Sequence, residues 1–306
     1  MTNPPLVSVI VPSYNYEKFI VQSLESIVSQ TYENLELVIV DDFSKDNSVT
    51  LINQLISQEK IKQRFDGKIQ FIKHEVNRGA HFSINEGINA SRGEYISILN
   101  ADDLYDDNRF EVMMAAMYSQ NAKFSFSKIS VIDGEGMLVD STNGEAGKFV
   151  AVQNSIQDFP TVGWSLIPHN AAISTGNMLF TREIYNNVGG FRNLKYCHDW
   201  DFILKSLILT EPLYIPETNY YYRLHGNNSY LQLDNVVDRE VKTVLGCFFY
   251  KCRKKNLLNS LCPSPQNWKS EFLTRIENMS LQKFWLFSMT PLNLFYQLRQ
   301  SFNDRK

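Results

Sequence analysis

The 306-residue sequence contains no run of 18 or more apolar residues, so it offers no candidate for a membrane-spanning helix. Neither a basic region nor a cleavage signal precedes the first apolar run. The four cysteines show no CxxC spacing and have no histidine cluster beside them, which argues against a zinc site and a disulfide framework. We therefore expect a cytosolic protein that is not exported and whose cysteines are reduced.

The C-terminal part of the chain is poor in acids. Residues 240–306 hold eleven lysines and arginines against four acids, a net charge of +7, which leaves −10 for the first 239 residues. This asymmetry predicts that the two parts face different partners. The chain as a whole is 43% hydrophobic and 21% charged, which is ordinary for a globular protein and excludes low-complexity disorder.

Near-continuous apolar strands alternate with amphipathic helices in the first hundred residues. We predict strands at 6–12, 35–42, 68–74 and 95–99. This alternation is typical of an α/β fold with a parallel sheet covered on both faces. Ligands of such sheets bind at the carboxyl ends of the strands, where we expect four segments to converge: 12–15, 41–44, 77–79 and 100–103.

The second half of the chain has a mixed pattern. KFSFSKISVID (123–133) alternates as an antiparallel strand should, and LYIP and NYYYRLH predict two further short strands. Residues 141–170 are poor in periodic signal and predict a long loop that is either functional or mobile. CHDWDFILKSLIL (197–209) predicts an apolar helix whose first turn carries two acids.

Two adjacent acids end the fourth predicted strand. Asp102 and Asp103 follow an apolar run, where paired carboxylates repel each other and are costly unless a cation binds. A divalent metal is the obvious candidate. The alternative is a solvated acidic turn before the next helix, which Asp106 and Asp107 could open.

The chain resembles the family 2 glycosyltransferases over residues 6–229, on ordered segments that include VSVIVPSYN, LVIVDDFSKDNS, NRGAHFSINEGINASRGEYISILNADD, GGF, HDWD and YRLHGNNS. No GxGxxG follows the first strand, so a dinucleotide-binding sheet does not fit. The resemblance implies a single glycosyltransferase A domain with a mostly parallel central sheet flanked by helices. We place this catalytic domain at 1–235 and a helical C-terminal extension at 236–306.

The resemblance also implies residues for the nucleotide donor. Tyr14 would stack on the base, Pro12 would shape the rim of the pocket, and Asp42 would accept a hydrogen bond from the uracil ring N–H. Arg78 and Arg223 are candidates for the phosphates. The alternatives are a surface-loop role for Tyr14 and a helix N-cap role for Asp42.

By the same resemblance, Asp103 would bind Mn²⁺ or Mg²⁺, the donor diphosphate would complete the oxygen shell, and Asp102 would contact the ribose or the sugar. His225 matches a metal or diphosphate contact, with a structural histidine as the alternative. The chain departs from the family at Asn100, where an aspartate commonly stands. The amide oxygen of Asn100 can still accept.

Asp199 matches the catalytic base of the family, and Asp201 a supporting or acceptor-binding acid. The alternative for both is that they complement the dipole of the helix that they begin. The acceptor side is predicted to include four more residues: Trp164, His169, Gly176 and Trp200.

The leading hypothesis is a metal-dependent, inverting hexosyl- or N-acetylhexosaminyltransferase. It would move a sugar from a UDP-linked donor to a saccharide or lipid-linked acceptor in bacterial cell-surface polysaccharide synthesis, with no nucleic acid partner. The alternatives are a nucleotide-sugar-binding module without turnover and a sugar-nucleotide pyrophosphorylase. A pyrophosphorylase usually carries a Gly-rich basic loop after the first strand, which VPSYNYEKF is not.

The basic tail suggests a peripheral contact with the inner face of the membrane. KCRKK (251–255) follows an apolar helix, and the large apolar residues of 281–302 include Phe284, Trp285, Phe287, Leu292, Leu294, Phe295, Leu298 and Phe302. Basic and aromatic residues together suit an anionic membrane interface, where a lipid-linked acceptor would be found. The alternative is a helical cap packed on the core.

Overall fold

The computed structural model of the chain describes residues 4–142, 144–226, 228, 235–253 and 257–290. The chain divides into two compact units. The first consists of Met1–Val150, Ala172–Gly189 and Leu213–His225, and the second of Ala151–Ala171, Gly190–Pro212 and Gly226–Lys306. The predicted domain boundary after residue 235 stays a prediction.

All named strands of the described residues belong to the first unit: β1 (Val7–Ser13), β2 (Leu35–Asp41), β3 (Ile69–Lys73), β4 (Tyr95–Ile98), β5 (Leu104–Tyr105), β6 (Phe124–Ile132), β7 (Met178–Thr181) and β8 (Leu213–Arg223). They form one sheet with the order β3-β2-β1-β4-β7-β6-β8-β5. Four of the seven strand pairings within the described part are parallel: β1 with β2, β1 with β4, β2 with β3 and β6 with β8. The predicted fold, a mostly parallel sheet with flanking helices, is confirmed.

The helices of the described residues are α1 (Ile20–Val28), α2 (Ser48–Ile56), α3 (Glu59–Phe65), α4 (Ala80–Ala90), α5 (Arg109–Ser119), α6 (Gly144–Asn154), α7 (Val162–Ser165), α8 (Arg182–Val188), α9 (His198–Ser206), α10 (Val236–Cys252), α11 (Phe272–Asn278) and α12 (Gln282–Phe287). Helix α4 packs directly on β1 and β2. A Cβ at Gly87 would lie 2.5 Å from Ile10, so a glycine is required for this close approach.

The central strands are apolar on both faces because both faces are covered. Every residue of β2 and β4 is buried, and so are all but one of β1. Burial of this kind produces the near-continuous apolar runs seen in the sequence.

Two predictions about irregular regions are wrong. Residues 141–170 contain α6, α7 and a 3₁₀ turn at Ser155–Asp158 rather than one long loop. The two short strands predicted at the end of the first unit are one continuous strand, β8. Its pairing with β6 shifts register after Ile215, and this irregularity accommodates Pro216 within the strand.

The described part of the second unit is helical, with an aromatic core. Trp164 is fully buried and packs against Trp268 and Phe272, with ring centroids 5.5 and 5.9 Å away. Trp285 packs on Phe249 and Phe272 in the same way. Part of the predicted membrane-facing segment therefore contacts the core of its own unit, whereas 291–302 and Lys254–Lys255 lie outside the described residues. No helix among the described residues has the length and apolar character needed to span a bilayer.

Candidate active site

The carboxyl ends of the parallel strands lie at one edge of the sheet. Strand β1 lies between β2 and β4, with Ser13 opposite Asp41 and Ile10 opposite Ile98. Asp42 follows β2 directly, and the 100–103 segment follows β4. The sheet topology thus brings these two segments together at the ligand-binding edge, as predicted.

Asp42 is held by the segment that joins β3 to α4. Its Oδ1 accepts a 2.7 Å hydrogen bond from the backbone N–H of Arg78 and lies 2.7 Å from His74 Nδ1, and its Oδ2 accepts a 2.7 Å bond from the Gly79 N–H. Two carboxylate oxygens offer about four acceptor positions, so one remains on Oδ2. The cap-like contact is made by Asp41 instead, which accepts from the Ser44 N–H.

Asp102 forms an acid–imidazole pair with His225. Its Oδ2 lies 2.9 Å from His225 Nε2, and the two side chains are 8% and 10% exposed. The Tyr16 hydroxyl is also hydrogen bonded to Asp102, whose negative charge, together with burial, raises the pKa of Tyr16. Phe19 packs on the His225 ring at 4.8 Å. The pair therefore lies after the end of β4, with the ring of Phe19 packed against its imidazole.

Asp103 is turned into the protein. Its Oδ1 accepts a 2.8 Å bond from the backbone N–H of Arg223, and its Oδ2 accepts from the Tyr220 hydroxyl and, at 3.1 Å, from Asn100 Nδ2. Burial first, and then the charge of Asp102, raises the pKa of the Asp103 carboxyl. The contacts of Asp103 are thus those of a brace between β4 and β8.

Asn100 explains part of this arrangement. Its amide nitrogen donates to Asp103 and, at 2.9 Å, to Ser174 Oγ. An aspartate here would present a carboxylate to Asp103 where the amide presents a donor. The departure from the family pattern therefore favours a buried Asp103.

The described residues fit a divalent cation only in part. They contain no group of three or more His, Cys, Asp or Glu side chains arranged to hold a metal ion. Asp102 and His225 supply one oxygen and one nitrogen ligand side by side, while both oxygens of Asp103 already have protein partners. The remaining ligands of a bound cation would have to come from a diphosphate or from water.

Asp199, the predicted base, lies at the start of α9 in the second unit. Its Oδ2 accepts a 2.8 Å bond from Asn170 Nδ2, and its Oδ1 accepts a 2.6 Å bond from the Trp200 N–H. Burial raises the pKa of the Asp199 carboxyl, because the charge interaction with His198 and these bonds compensate the desolvation only in part. A carboxylate with a raised pKa is a stronger proton acceptor than an exposed one.

Asp201 has different partners on the same helix turn. It is 1% exposed and forms ion pairs with Arg192 and, at 2.8 Å, with Lys205. Burial opposes its ionisation, but the two cations outweigh burial and lower the pKa of Asp201. These contacts explain the residue as part of a buried ion-pair network; its predicted acceptor contact stays a prediction.

The other predicted donor residues differ in exposure. Tyr14 is 43% exposed at the end of β1, next to the half-buried Pro12, and is free to stack on a base. Arg78 is exposed, and its guanidinium lies 3.2 Å from the centroid of the Phe82 ring. Arg223 is fully buried and donates to the backbone carbonyls of residues 102, 133 and 134, so it braces this region rather than meeting solvent.

The four predicted acceptor-side residues differ in their burial and in the unit to which they belong. Trp164 is buried in the core of the second unit, and the Trp200 indole donates a 2.7 Å bond to the Leu166 carbonyl. His169 is exposed. Gly176 belongs to the first unit, where a Cβ would lie 2.0 Å from the Tyr220 hydroxyl, so packing alone requires a glycine. Acceptor contacts of these four residues stay predictions.

The structure adds His74, Glu86, Tyr16, Tyr220 and Asn170 to the residues that the sequence singled out. His74 could have been found, because it directly follows β3 at the ligand-binding edge. Tyr220 could not, because the bond that it donates to Asp103 joins residues 117 positions apart.

A family model, glycosyl transferase family 2, matches residues 8–189, which is more than half of the chain and includes β2 and β4 with the acids that follow them. The chain belongs to this family. It is a family 2 glycosyltransferase, and the predicted family is confirmed.

Similar proteins agree with this membership. The Escherichia coli UDP-Glc:alpha-D-GlcNAc-diphosphoundecaprenol beta-1,3-glucosyltransferase WfgD is 28% identical over 206 residues, covering 67% of this chain and 70% of that protein. Staphylococcus aureus TarS, solved with UDP-GlcNAc, is 17% identical with a TM-score of 0.64 over 92% of this chain and 79% of that one. The mannosyltransferase PcManGT of Pyrobaculum calidifontis, solved with GDP-Man and Mn²⁺, is 17% identical with a TM-score of 0.62 over 94% and 74%. The two solved structures support the glycosyltransferase A fold.

Proposed function

We propose that this family 2 member is an inverting transferase that moves a sugar from a UDP-linked donor to a saccharide or lipid-linked acceptor in bacterial cell-surface polysaccharide synthesis. The observation that carries the proposal lies in the first unit. One edge of its sheet holds both a carboxylate with one open acceptor position, Asp42, and an acid–imidazole pair, Asp102 with His225. In a bound uridine diphosphate, the base would use the carboxylate and the diphosphate would use the acid–imidazole pair.

Base recognition would use Asp42 and Tyr14. The uracil ring N–H can donate to the acceptor position left on Asp42 Oδ2, while cytosine has a lone pair at the same ring position and would meet a second acceptor. Tyr14 would cover the face of the base. The UDP-Glc donor in the name of WfgD and the UDP-GlcNAc bound by TarS support this preference.

The diphosphate would lie at Asp102 and His225. Because Asp103 is occupied by Tyr220 and Arg223, we assign it the role of fixing the end of β4 and assign the metal contact to its neighbour and to His225. A divalent cation bound there would neutralise charge on the leaving diphosphate. The Mn²⁺ in the PcManGT structure supports such use of a metal. Arg78, on its exposed loop, is a further candidate for the phosphates.

The acceptor hydroxyl would lose its proton to Asp199. A single displacement needs one base, and the raised pKa of the Asp199 carboxyl suits it to that task. Attack from the side opposite the departing diphosphate inverts the anomeric centre. Asn170 would hold the carboxylate in place through its 2.8 Å bond to Oδ2.

For the acceptor we propose a lipid-linked saccharide, as in the name of WfgD. We also propose that residues 236–306 form an extension that contacts an anionic membrane surface. Flotation with anionic vesicles tests this contact: full-length protein should float, and a chain lacking residues 240–306 should not. If both fail to float, the membrane contact is refuted.

The decisive test of the function is a screen of nucleotide sugars with Mn²⁺ and with chelator, in which released nucleoside diphosphate is measured. We expect turnover of a UDP-sugar, and an inverted anomeric configuration in the product. If the protein binds a donor but neither transfers nor hydrolyses any of the nucleotide sugars tested, the proposed enzyme activity is refuted. If the product retains the anomeric configuration of the donor, the single displacement is refuted.

A further inference from the structure

His74 links the proposed base-recognition carboxylate to a second acid on a helix. Its Nδ1 lies 2.7 Å from Asp42 Oδ1 and its Nε2 lies 2.5 Å from Glu86 Oε2, on α4. The side chains of His74 and Asp42 are each 5% exposed, and that of Glu86 is 34% exposed. The imidazole is therefore a buried bridge that runs from the ligand-binding edge to the helix surface.

The two contacts of the imidazole favour one protonation state of this bridge. Ionised carboxylates accept hydrogen bonds and do not donate them, so an imidazole between two of them must carry a proton on each ring nitrogen. Burial lowers the pKa of His74, but the bonds to Asp42 and Glu86 outweigh burial and raise it. Both contacts therefore favour the doubly protonated imidazolium form of His74.

Other charges around His74 are few. The loop between β3 and α4 brings the Arg78 guanidinium onto Phe82, whose ring lies 5.6 Å from the imidazole. On β3 itself, Lys73 points to Phe71. Asp41 receives the His74 backbone N–H at its carbonyl, while its carboxylate binds Ser44. The two bridged acids are therefore the partners that set the state of His74.

The bridge also fixes what Asp42 can accept. Three of its acceptor positions are taken by His74 and by the N–H groups of Arg78 and Gly79, all on the segment after β3. Without His74, Oδ1 would regain an open position, and the carboxylate would lose one of the three contacts that limit its rotation. A rotated or water-bound carboxylate cannot distinguish a ring N–H from a ring lone pair as sharply.

We propose that His74, oriented by Glu86, is a positioning residue that makes Asp42 selective for the donor base, so that the His74–Glu86 pair determines the preference for uracil over cytosine. This inference rests on the proposed function, because it requires Asp42 to meet the base. It names His74, which lies outside the motifs through which the sequence resembles its family, and a partner on α4, Glu86.

The test compares UDP and CDP binding by calorimetry in the presence of Mn²⁺. The wild type should prefer UDP. His74→Ala should weaken UDP binding about tenfold or more, the usual effect of losing a hydrogen bond to a charged group, while CDP binding changes little. His74→Gln, which can still donate one hydrogen bond to Asp42, should recover part of the preference. Glu183→Gln, a surface acid paired with Lys123, is the matched control and should leave the ratio unchanged.

A second measurement requires no nucleotide. An NMR titration of the His74 ring should show the doubly protonated imidazole persisting above the usual histidine pKa of about 6.5. Glu86→Gln, at a partly exposed position, should lower that midpoint and reduce the UDP preference. This variant keeps the test valid if His74→Ala does not fold.

The outcomes separate the two proposals. An unchanged UDP-to-CDP ratio in folded His74→Ala and Glu86→Gln, beside a selective wild type, overturns the role of His74 and leaves the proposed function standing. A wild type that binds neither nucleotide, or binds both alike, overturns the proposed uracil recognition. A His74 ring that titrates normally overturns the imidazolium bridge in either case.

Discussion

The acids that follow β4 and the acids that begin α9 lie in different units, and the two carboxylates of each pair have different kinds of partner. In the first unit, Asp103 binds Tyr220 and the Arg223 backbone, while Asp102 faces His225. In the second, Asp201 forms ion pairs with two cations, while Asp199 accepts hydrogen bonds from an amide and a backbone N–H. Neighbouring acids in a motif therefore differ in role according to their long-range partners.

The largest expected effect distinguishes the two acids of α9. Asp199→Asn keeps the shape of the side chain but removes the proton acceptor, so turnover should fall roughly 10²–10⁴-fold. UDP binding should stay near that of the wild type. Its free energy of unfolding should change by no more than about 1 kcal/mol, because a first-turn helix acid contributes little. Near wild-type transfer by the folded variant would remove Asp199 from the mechanism.

Asp201→Asn should show the opposite behaviour. Removing this carboxylate leaves Arg192 and Lys205 without their shared acid in a setting that is no more than 13% exposed. Breaking a buried ion pair from one side costs about 3–5 kcal/mol of folding free energy. Chemical denaturation measures this loss, and Asp199→Asn serves as the control on the same helix turn. A stability like that of the wild type would show that the ion pairs are dispensable.

The third prediction sharpens the contrast between Asp102 and its neighbour. UDP should stabilise the wild type more with Mn²⁺ than with chelator, because a metal bound between the protein and the diphosphate would tighten UDP binding. A ligand at 100 times its Kd adds about 2.7 kcal/mol to the free energy of unfolding. Asp102→Asn should abolish the part of this thermal shift that depends on the metal. Tyr220→Phe, which removes only a partner of Asp103, should retain it at a lower starting Tm. If the wild type shifts equally with metal and with chelator, the metal contact is wrong.

The smallest effect concerns pH. Because the folded state raises the pKa of His74, its contribution to stability is fully present below the unfolded-state pKa of about 6.5 and is lost as the pH rises through the folded-state value. The stability difference between wild type and His74→Gln should therefore shrink toward alkaline pH. Denaturation curves over a pH series measure it, and a constant difference would contradict the bridge.

Much of the fold was predictable because it depends on local patterns. Strands buried on both faces read as apolar runs, and their carboxyl ends located Asp42, Asp102 and Asp103 correctly along the chain. The helix α6 was missed because GEAGKFVAVQN carries two glycines and no regular apolar stripe. Strand β8 was divided in two because Pro216 usually ends a central strand, and a register shift that the sequence does not show accommodates it.

The candidate site was less predictable, because its residues are defined by partners. Asp103 fits the motif best, but Tyr220, Arg223 and Asn100 occupy it. The spacing of Asp199 and Asp201 indicated that they point in different directions, and their separate partners agree with this. The i,i+4 spacing on α9 favours Lys205 as a partner of Asp201, but no rule of spacing identifies Arg192 as the second cation.

The brace between β4 and β8 also orders the events of folding. Asp103 finds its donors 117 and 120 residues further along the chain, and closing so long a loop is entropically slow. A nascent polypeptide that ends before residue 213 contains β1 to β7 but neither Tyr220 nor the Arg223 N–H. The ligand-binding edge therefore stays incomplete during most of synthesis, and the carboxylate at its end is satisfied only when β8 docks beside β6.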